Sequence, residues 1–265
     1  MKLQNILGIS AGFHDAAASV INTKGEILFA GHSERYSKKK NDADIHPNLL
    51  CDLNQYSINH VAYYERPWNK QLRQLYSGQG IEWSKLTTSQ ILDQQLQGYF
   101  EQATVSSHNH HLSHAAGGFQ TSTFDRATVV VIDAIGEWDT VSIWGAEYRN
   151  GQARYRRLWR QQYPHSIGLF YTAMTDRIGL RPMEDEYVLM GMAAYGTDRL
   201  TKHLDDLAIE DLDEMQLRQN FHAGVDENFL ASTENEDIAT ATQQVAETLI
   251  YSIMRRARSF AWSTN

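Results

Sequence analysis

Ala127-Thr128-Val129-Val130-Val131-Ile132-Asp133 sets five β-branched residues in a row, the composition of a buried strand, and closes on an acid. Ala134-Ile135-Gly136 reads as the turn after it, residues 140–147 as the returning strand, Asn150-Gly151 as a hairpin and residues 153–159 as a third strand. The same order stands half a chain earlier. Residues 5–10 make a short apolar strand, Ala11-Gly12-Phe13-His14-Asp15 a turn, residues 16–21 a small-residue strand, Asn22-Thr23-Lys24-Gly25 a hairpin turn and residues 26–32 a third strand. A meander that occurs twice points to internal duplication. It predicts an α/β chain in two parts, residues 1–124 and 125–265.

Between the meanders, Pro47 opens a helix reaching residue 56, because proline suits a first helical position. Residues 60–65 read as a strand, and residues 103–107 as another. Residues 87–103 read as a helix with Leu92, Leu96, Tyr99 and Phe100 on one stripe. Residues 33–44 are polar and loop-like. After the second meander the chain turns helical, over residues 166–178 and 186–194. A long amphipathic helix follows over residues 236–261, with Ile238, Ala241, Val245, Leu249, Ile253, Ala257 and Phe260 on one face. Residues 201–233 are acidic, weakly patterned and read as an insertion. No strand follows these helices, so the second sheet reads as cut off. Open strand edges and an uncovered helix face would then favour self-association.

Composition excludes several function classes. Among 265 residues, 24 are Lys or Arg and 32 are Asp or Glu, a net charge of −8 that opposes broad electrostatic binding of nucleic acid. The one cysteine, Cys51, rules out an intrachain disulfide and a cysteine-rich zinc site, and reads as a small buried residue. No apolar run approaches the roughly 18–20 residues that span a bilayer. Residues 1–8 lack a signal-peptide pattern, so a cytoplasmic address is expected.

Four of the 11 histidines, His108, His110, His111 and His114, fall within seven residues. On a helix, His110 and His114 share a face and can present two imidazoles to one metal ion. That reading outweighs a polar helix start with incidental histidines. No glutamate follows His110, so this is not the metalloprotease signature. Asp133 at its strand end is either a third metal ligand or an aspartate accepting turn amides. His14 is either a general base or phosphate contact, or a solvated loop histidine. Lys38-Lys39-Lys40 is either an anion-binding stretch or a solvated basic loop. Neither a Walker A loop nor Gly-x-Gly-x-x-Gly occurs in the sequence.

Several of these segments together resemble one family, the nodulation-type O-carbamoyltransferases, which include antibiotic-tailoring enzymes. Residues 9–17 (Ile-Ser-Ala-Gly-Phe-His-Asp-Ala-Ala) and 33–40 (Ser-Glu-Arg-Tyr-Ser-Lys-Lys-Lys) resemble its amino-terminal blocks. His110-His111-Leu112-Ser113-His114-Ala115-Ala116 is similar to its His-His-x-x-His-Ala-Ala motif, and Asp133-Ala134-Ile135-Gly136-Glu137-Trp138 to its Asp-Gly-x-Gly-Glu-Trp block. Residues 163–171 and 186–196 complete the match. The resemblance implies two ribonuclease-H-like lobes of the actin/sugar-kinase/Hsp70 group. It implies that carbamoyl phosphate and ATP form a carbamoyl-adenylate whose carbamoyl group passes to a hydroxyl of a small molecule.

His110, His114 and Asp133 would hold a divalent ion, iron(II) with zinc as the alternative. His14 would take the hydroxyl proton. Gly12, Asp15, Lys39, Gly136 and Glu137 would contact substrate or nucleotide. Ala134 and Val188 stand where the family has glycine and lysine. Family members are about twice as long, so a complementary carboxy-terminal half is the implied partner, with no nucleic acid or membrane. Two other functions keep the fold: a non-catalytic metal- and nucleotide-binding lobe of a split enzyme, and a threonylcarbamoyl transferase acting on tRNA. The acidic charge and the Glu137-Trp138 and Tyr195-Gly196 blocks oppose the latter.

Overall fold

The computed structural model describes residues 4–263 and shows a mixed α/β chain in two compact units, Met1–Ser113 and His114–Asn265. Residues 1–3 of the segment read as lacking a signal peptide lie outside the described residues. Among the described residues, no helix is long and apolar enough to cross a membrane.

The first unit is built on a five-stranded sheet. Its strands are β1 (Asn5–Ser10), β2 (Ala17–Asn22), β3 (Ile27–His32), β4 (Ile58–Tyr63) and β5 (Thr104–Ser107), in the order β3-β2-β1-β4-β5. The first three pair antiparallel as the expected meander, while β4 and β5 add in parallel. Leu7, Ile9, Val20, Val61 and Tyr63 point into one core with Leu49, Leu50 and Leu53 of α2 (Pro47–Leu53) and Ile91, Leu92 and Leu96 of α4 (Thr88–Leu96). Alternation along β1 and β2 buries every second residue, the period-two pattern of a half-buried strand.

Three expectations need correction here. The polar stretch after β3 is not all loop: α1 (Glu34–Ser37) is a single turn, stopped by Lys38 at φ 58°. The helix expected to reach residue 103 ends at Leu96, because Gln97 and Gly98 turn left-handed at φ 51° and 87°. Tyr99 and Phe100 still pack against the core, from a turn rather than a helix. Cys51, expected inside, is exposed.

One helix of this unit has its faces reversed. In α3 (Pro67–Tyr76) the buried residues are Pro67, Lys70, Gln71 and Arg73. Trp68, Leu72, Leu75 and Tyr76 are exposed.

The second unit opens with the expected antiparallel meander, β6 (Arg126–Gly136), β7 (Asp139–Arg149) and β8 (Gln152–Gln162), in the order β6-β7-β8. Asn150 and Gly151 turn β7 into β8 at φ 52° and 71°. The expected turn at residues 134–136 is strand instead. Gly136 pairs with Asp139, and the two-residue turn is Glu137-Trp138, with Glu137 taking the positive φ of 61°.

α6 (Ile167–Arg177), α8 (Thr201–Ala208) and α9 (Asn235–Ser259) share one core with this sheet, and α7 (Glu186–Met192) packs against α9. The stretch read as an unpatterned insertion holds α8 and a two-stranded ribbon, β9 (Ile209–Asp211) with β10 (Gln216–Leu217). The apolar face of α9, expected to be open, is covered. Ile238, Ala241, Val245, Leu249, Ile253 and Ala257 are each at most 5% exposed. Phe260, placed on that face by the period, lies past the helix end and is 37% exposed.

Candidate functional site

The histidine helix α5 (His110–Gln120) begins at His110 because the Asn109 side chain accepts the Leu112 amide at 3.0 Å. His110 and His114 stand one turn apart on it. The division between the two units falls inside this helix, after Ser113.

In the first unit, the start of α5 is fastened to the end of β4. Ser113 Oγ donates to the Tyr64 carbonyl at 2.8 Å, and the His108 amide donates to the Tyr63 carbonyl at 3.0 Å. His110 is buried. Its Nδ1 lies 3.1 Å from Oε2 of Glu65, a fully buried carboxylate whose Oε1 takes Lys70 Nζ, also at 3.1 Å. Burial alone would push the Glu65 carboxyl up, but the hydrogen bond from His110 and the charge on Lys70 outweigh it and hold the group below the usual carboxylate range. Burial pulls the Lys70 ammonium down, and the Glu65 charge counters that. On its other side Lys70 Nζ sits 3.2 Å from the centre of the Phe13 ring, a cation–π contact.

Phe13 belongs to the first Gly-containing turn. Gly12 there has φ 92°, and a Cβ on it would meet Ile91 at 3.0 Å, so glycine is required. His14 is exposed, and its Nδ1 lies 2.9 Å from Asp15 Oδ2. Asp15 Oδ1 faces His32 Nε2 at 3.8 Å, and Glu34 Oε2 faces His32 Nδ1 at 4.0 Å. Asp15, His32 and Glu34 offer donor atoms within 4.8 Å of one another. His32 Nδ1 already accepts the Glu34 amide at 3.2 Å, which puts the neutral ring's proton on Nε2, toward Asp15, and leaves no lone pair aimed at an ion. Lys39 is exposed, with Nζ 3.8 Å from Asp42.

In the second unit, His114 Nε2 lies 4.0 Å from Asp133 Oδ2. Asp133 sits within β6, where the pairing with β7 slips between Ile132 and Gly136, and its Oδ1 accepts the Ala134 amide at 2.7 Å. The irregular end of β6 is held by α6. Ser166 Oγ donates to the Ala134 carbonyl at 2.7 Å, and a Cβ on Gly168 would meet Ala134 Cα at 2.9 Å. Gly136 and Glu137 are both buried. Asp139 is buried as well, and burial raises its carboxyl despite the nearby Arg160 and Arg157.

The structure brings His14 next to Asp15, and His114 next to Asp133. Sequence reasoning missed Glu65 and Lys70. The one available signal was a glutamate closing the apolar run Val61-Ala62-Tyr63-Tyr64, where an ionised group is buried only with partners.

Comparison with known proteins adds a family. A model of the family described as "Carbamoyltransferase N-terminus" matches residues 55–257. An uncharacterized protein of Synechocystis is 30% identical over 236 residues, which cover 79% of this chain and 37% of that protein. Nodulation protein NolNO of Sinorhizobium fredii is 24% identical over 276 residues, covering 95% of this chain and 40% of that protein. The chain thus spans about two fifths of the length of these relatives. A solved Aquifex aeolicus PPX-GPPA enzyme is similar at 10% identity with a TM-score of 0.30, over 96% of this chain and 93% of that one.

Proposed function

Because the chain belongs to the carbamoyltransferase N-terminus family, we propose that it is the amino-terminal part of an ATP-dependent O-carbamoyltransferase that uses carbamoyl phosphate and forms a carbamoyl-adenylate. The family match is the observation that carries this reading. The strand order β3-β2-β1-β4-β5 and the repeated antiparallel meander support reading the two units as ribonuclease-H-like. The remaining length of the relatives is the natural source of the part that makes the adenylate.

In this reading His14 is the general base. Asp15 accepts a hydrogen bond from its Nδ1–H, so Nε2 is left to take the proton of the acceptor hydroxyl. The hydroxyl oxygen then bonds to the carbamoyl carbon, the bond from that carbon to the phosphate oxygen breaks, and AMP leaves. The exposure of His14 suits contact with a small-molecule acceptor. Gly12 brings backbone close to the reacting groups, Lys39 supplies positive charge for a phosphate, and Gly136 and Glu137 shape the β6–β7 turn.

His110, His114 and Asp133 are the proposed ligands of a divalent ion. Two imidazoles and a carboxylate suit iron(II) or zinc better than magnesium or calcium. Such an ion supplies Lewis-acid polarisation of a carbonyl or phosphoryl oxygen when bound. The helical spacing of the two histidines and the approach of His114 to Asp133 support the assignment.

The test is elemental analysis of chain purified without oxygen, together with carbamoyl transfer after the chain is joined to the carboxy-terminal portion of a full-length relative. About one iron or zinc per chain, lost in His114→Ala, and transfer that is silenced in His14→Ala are expected. A metal-free chain that supports no transfer in the joined protein would end the proposal.

A further inference from the structure

A buried chain of contacts runs Phe13–Lys70–Glu65–His110. Glu65 is fully buried, comes from the segment just after β4, and meets two donors. Lys70, from the inward face of α3, reaches Oε2 at 3.5 Å and lies closer to Oε1, at 3.1 Å. His110 Nδ1 faces Oε2, also at 3.1 Å. An ionised carboxylate only accepts hydrogen bonds. With Lys70 beside it the carboxylate is ionised, so the ring nitrogen facing it must carry a proton. The neutral ring then has its lone pair on Nε2, the form in which imidazole ligates a divalent ion. Tyr64, edge-on to the ring at 5.1 Å between centroids, limits how the ring can tilt.

We propose that Glu65 is a positioning residue for His110: it accepts a hydrogen bond from Nδ1–H, fixes the tautomer with the lone pair on Nε2, and thereby sets how tightly α5 holds a divalent ion. The last clause rests on the metal reading above, while the tautomer does not. Lys70 keeps Glu65 charged, and Phe13 seats Lys70 through its ring face. Outer partners of this kind change metal affinity by about 10–100-fold when removed.

The experiment uses the full chain with ¹⁵N-labelled histidine, stripped of metal at neutral pH. Proton–nitrogen correlations across the rings distinguish the two neutral tautomers and the imidazolium, and His110→Gln assigns the His110 signals. His110 is expected as the Nδ1–H tautomer in the wild type and to lose that form in Glu65→Gln. Zinc titration against a competing chelator should then show about 10–100-fold weaker binding for Glu65→Gln. If that variant fails to fold around the unpaired Lys70, the Glu65→Gln/Lys70→Met double variant removes the stranded ammonium and keeps both readouts. An Nε2–H tautomer or an imidazolium at His110 in the wild type overturns the proposal. So does unchanged zinc affinity in a variant whose tautomer has switched. A wild type that shows the expected tautomer but binds no zinc sinks the metal reading and the affinity clause with it, and leaves the tautomer assignment standing.

Discussion

His110–Glu65–Lys70 and His14–Asp15–His32–Glu34 put imidazole against carboxylate in the same unit, in opposite surroundings. In the first group the carboxylate is fully buried and its closest contacts lie at 3.1 Å. In the second, side chains are about one third to one half exposed, and only His14–Asp15 is in hydrogen-bond range. Inside the unit, a charge stripped of a partner has no water to turn to, so geometry is enforced. At the surface, water replaces a lost partner and the side chains stay adjustable. A group that must hold one tautomer belongs in the first environment. A base that must meet a changing substrate belongs in the second.

Three measurements probe this contrast. Glu65→Ala should cost about 3–5 kcal/mol in denaturant unfolding, because it strands Lys70 in the interior; a loss below about 1 kcal/mol would place both groups in the same class. Glu65→Gln should cost less, about 1–3 kcal/mol at neutral pH, and the cost should depend on acidity. The folded-state Glu65 carboxyl is held below its ordinary range. Its stabilisation is therefore complete above that range and is lost as pH falls through the folded value. Wild type and Glu65→Gln should converge as unfolding is repeated at lower pH, and a gap that stays constant would argue against a charged Glu65. Asp15→Asn should change stability by less than about 1 kcal/mol and respond weakly to salt. Asparagine tolerates the left-handed φ of 50° at that position, so backbone strain does not confuse the result. A larger loss would show that the exposed group holds the turn together.

Much of the fold could be read from local pattern. Val129–Ile132 announces β6 by β-branching, and Asn150-Gly151 marks the β7–β8 hairpin by its turn chemistry. The period of α9 located the centre of its buried face, Ile238, Ala241, Val245, Leu249, Ile253 and Ala257, while Ala239, Thr240, Thr242, Ala246 and Ser252 widen that face beyond it. Failures came where a residue took a conformation its type does not advertise. Glycine at 136 drew the turn onto itself, whereas Glu137 adopts the positive φ. Gln97 ended α4 although the apolar stripe continued through Tyr99 and Phe100. At the site, pairs close in sequence, such as His14 with Asp15, were legible. The Glu65–His110 contact joins residues 45 apart through two elements, and no spacing rule exposes it.

The reversed faces of α3 bear on how this chain should be engineered. Its charged and amide side chains, Lys70, Gln71 and Arg73, point inward, and Trp68, Leu72, Leu75 and Tyr76 meet solvent. A designer reading hydropathy alone would mutate the former as harmless surface and protect the latter as core. The choice should be inverted: polar replacements aimed at better solubility belong at the aromatic and leucine positions, and the lysine that looks disposable is the residue to leave untouched.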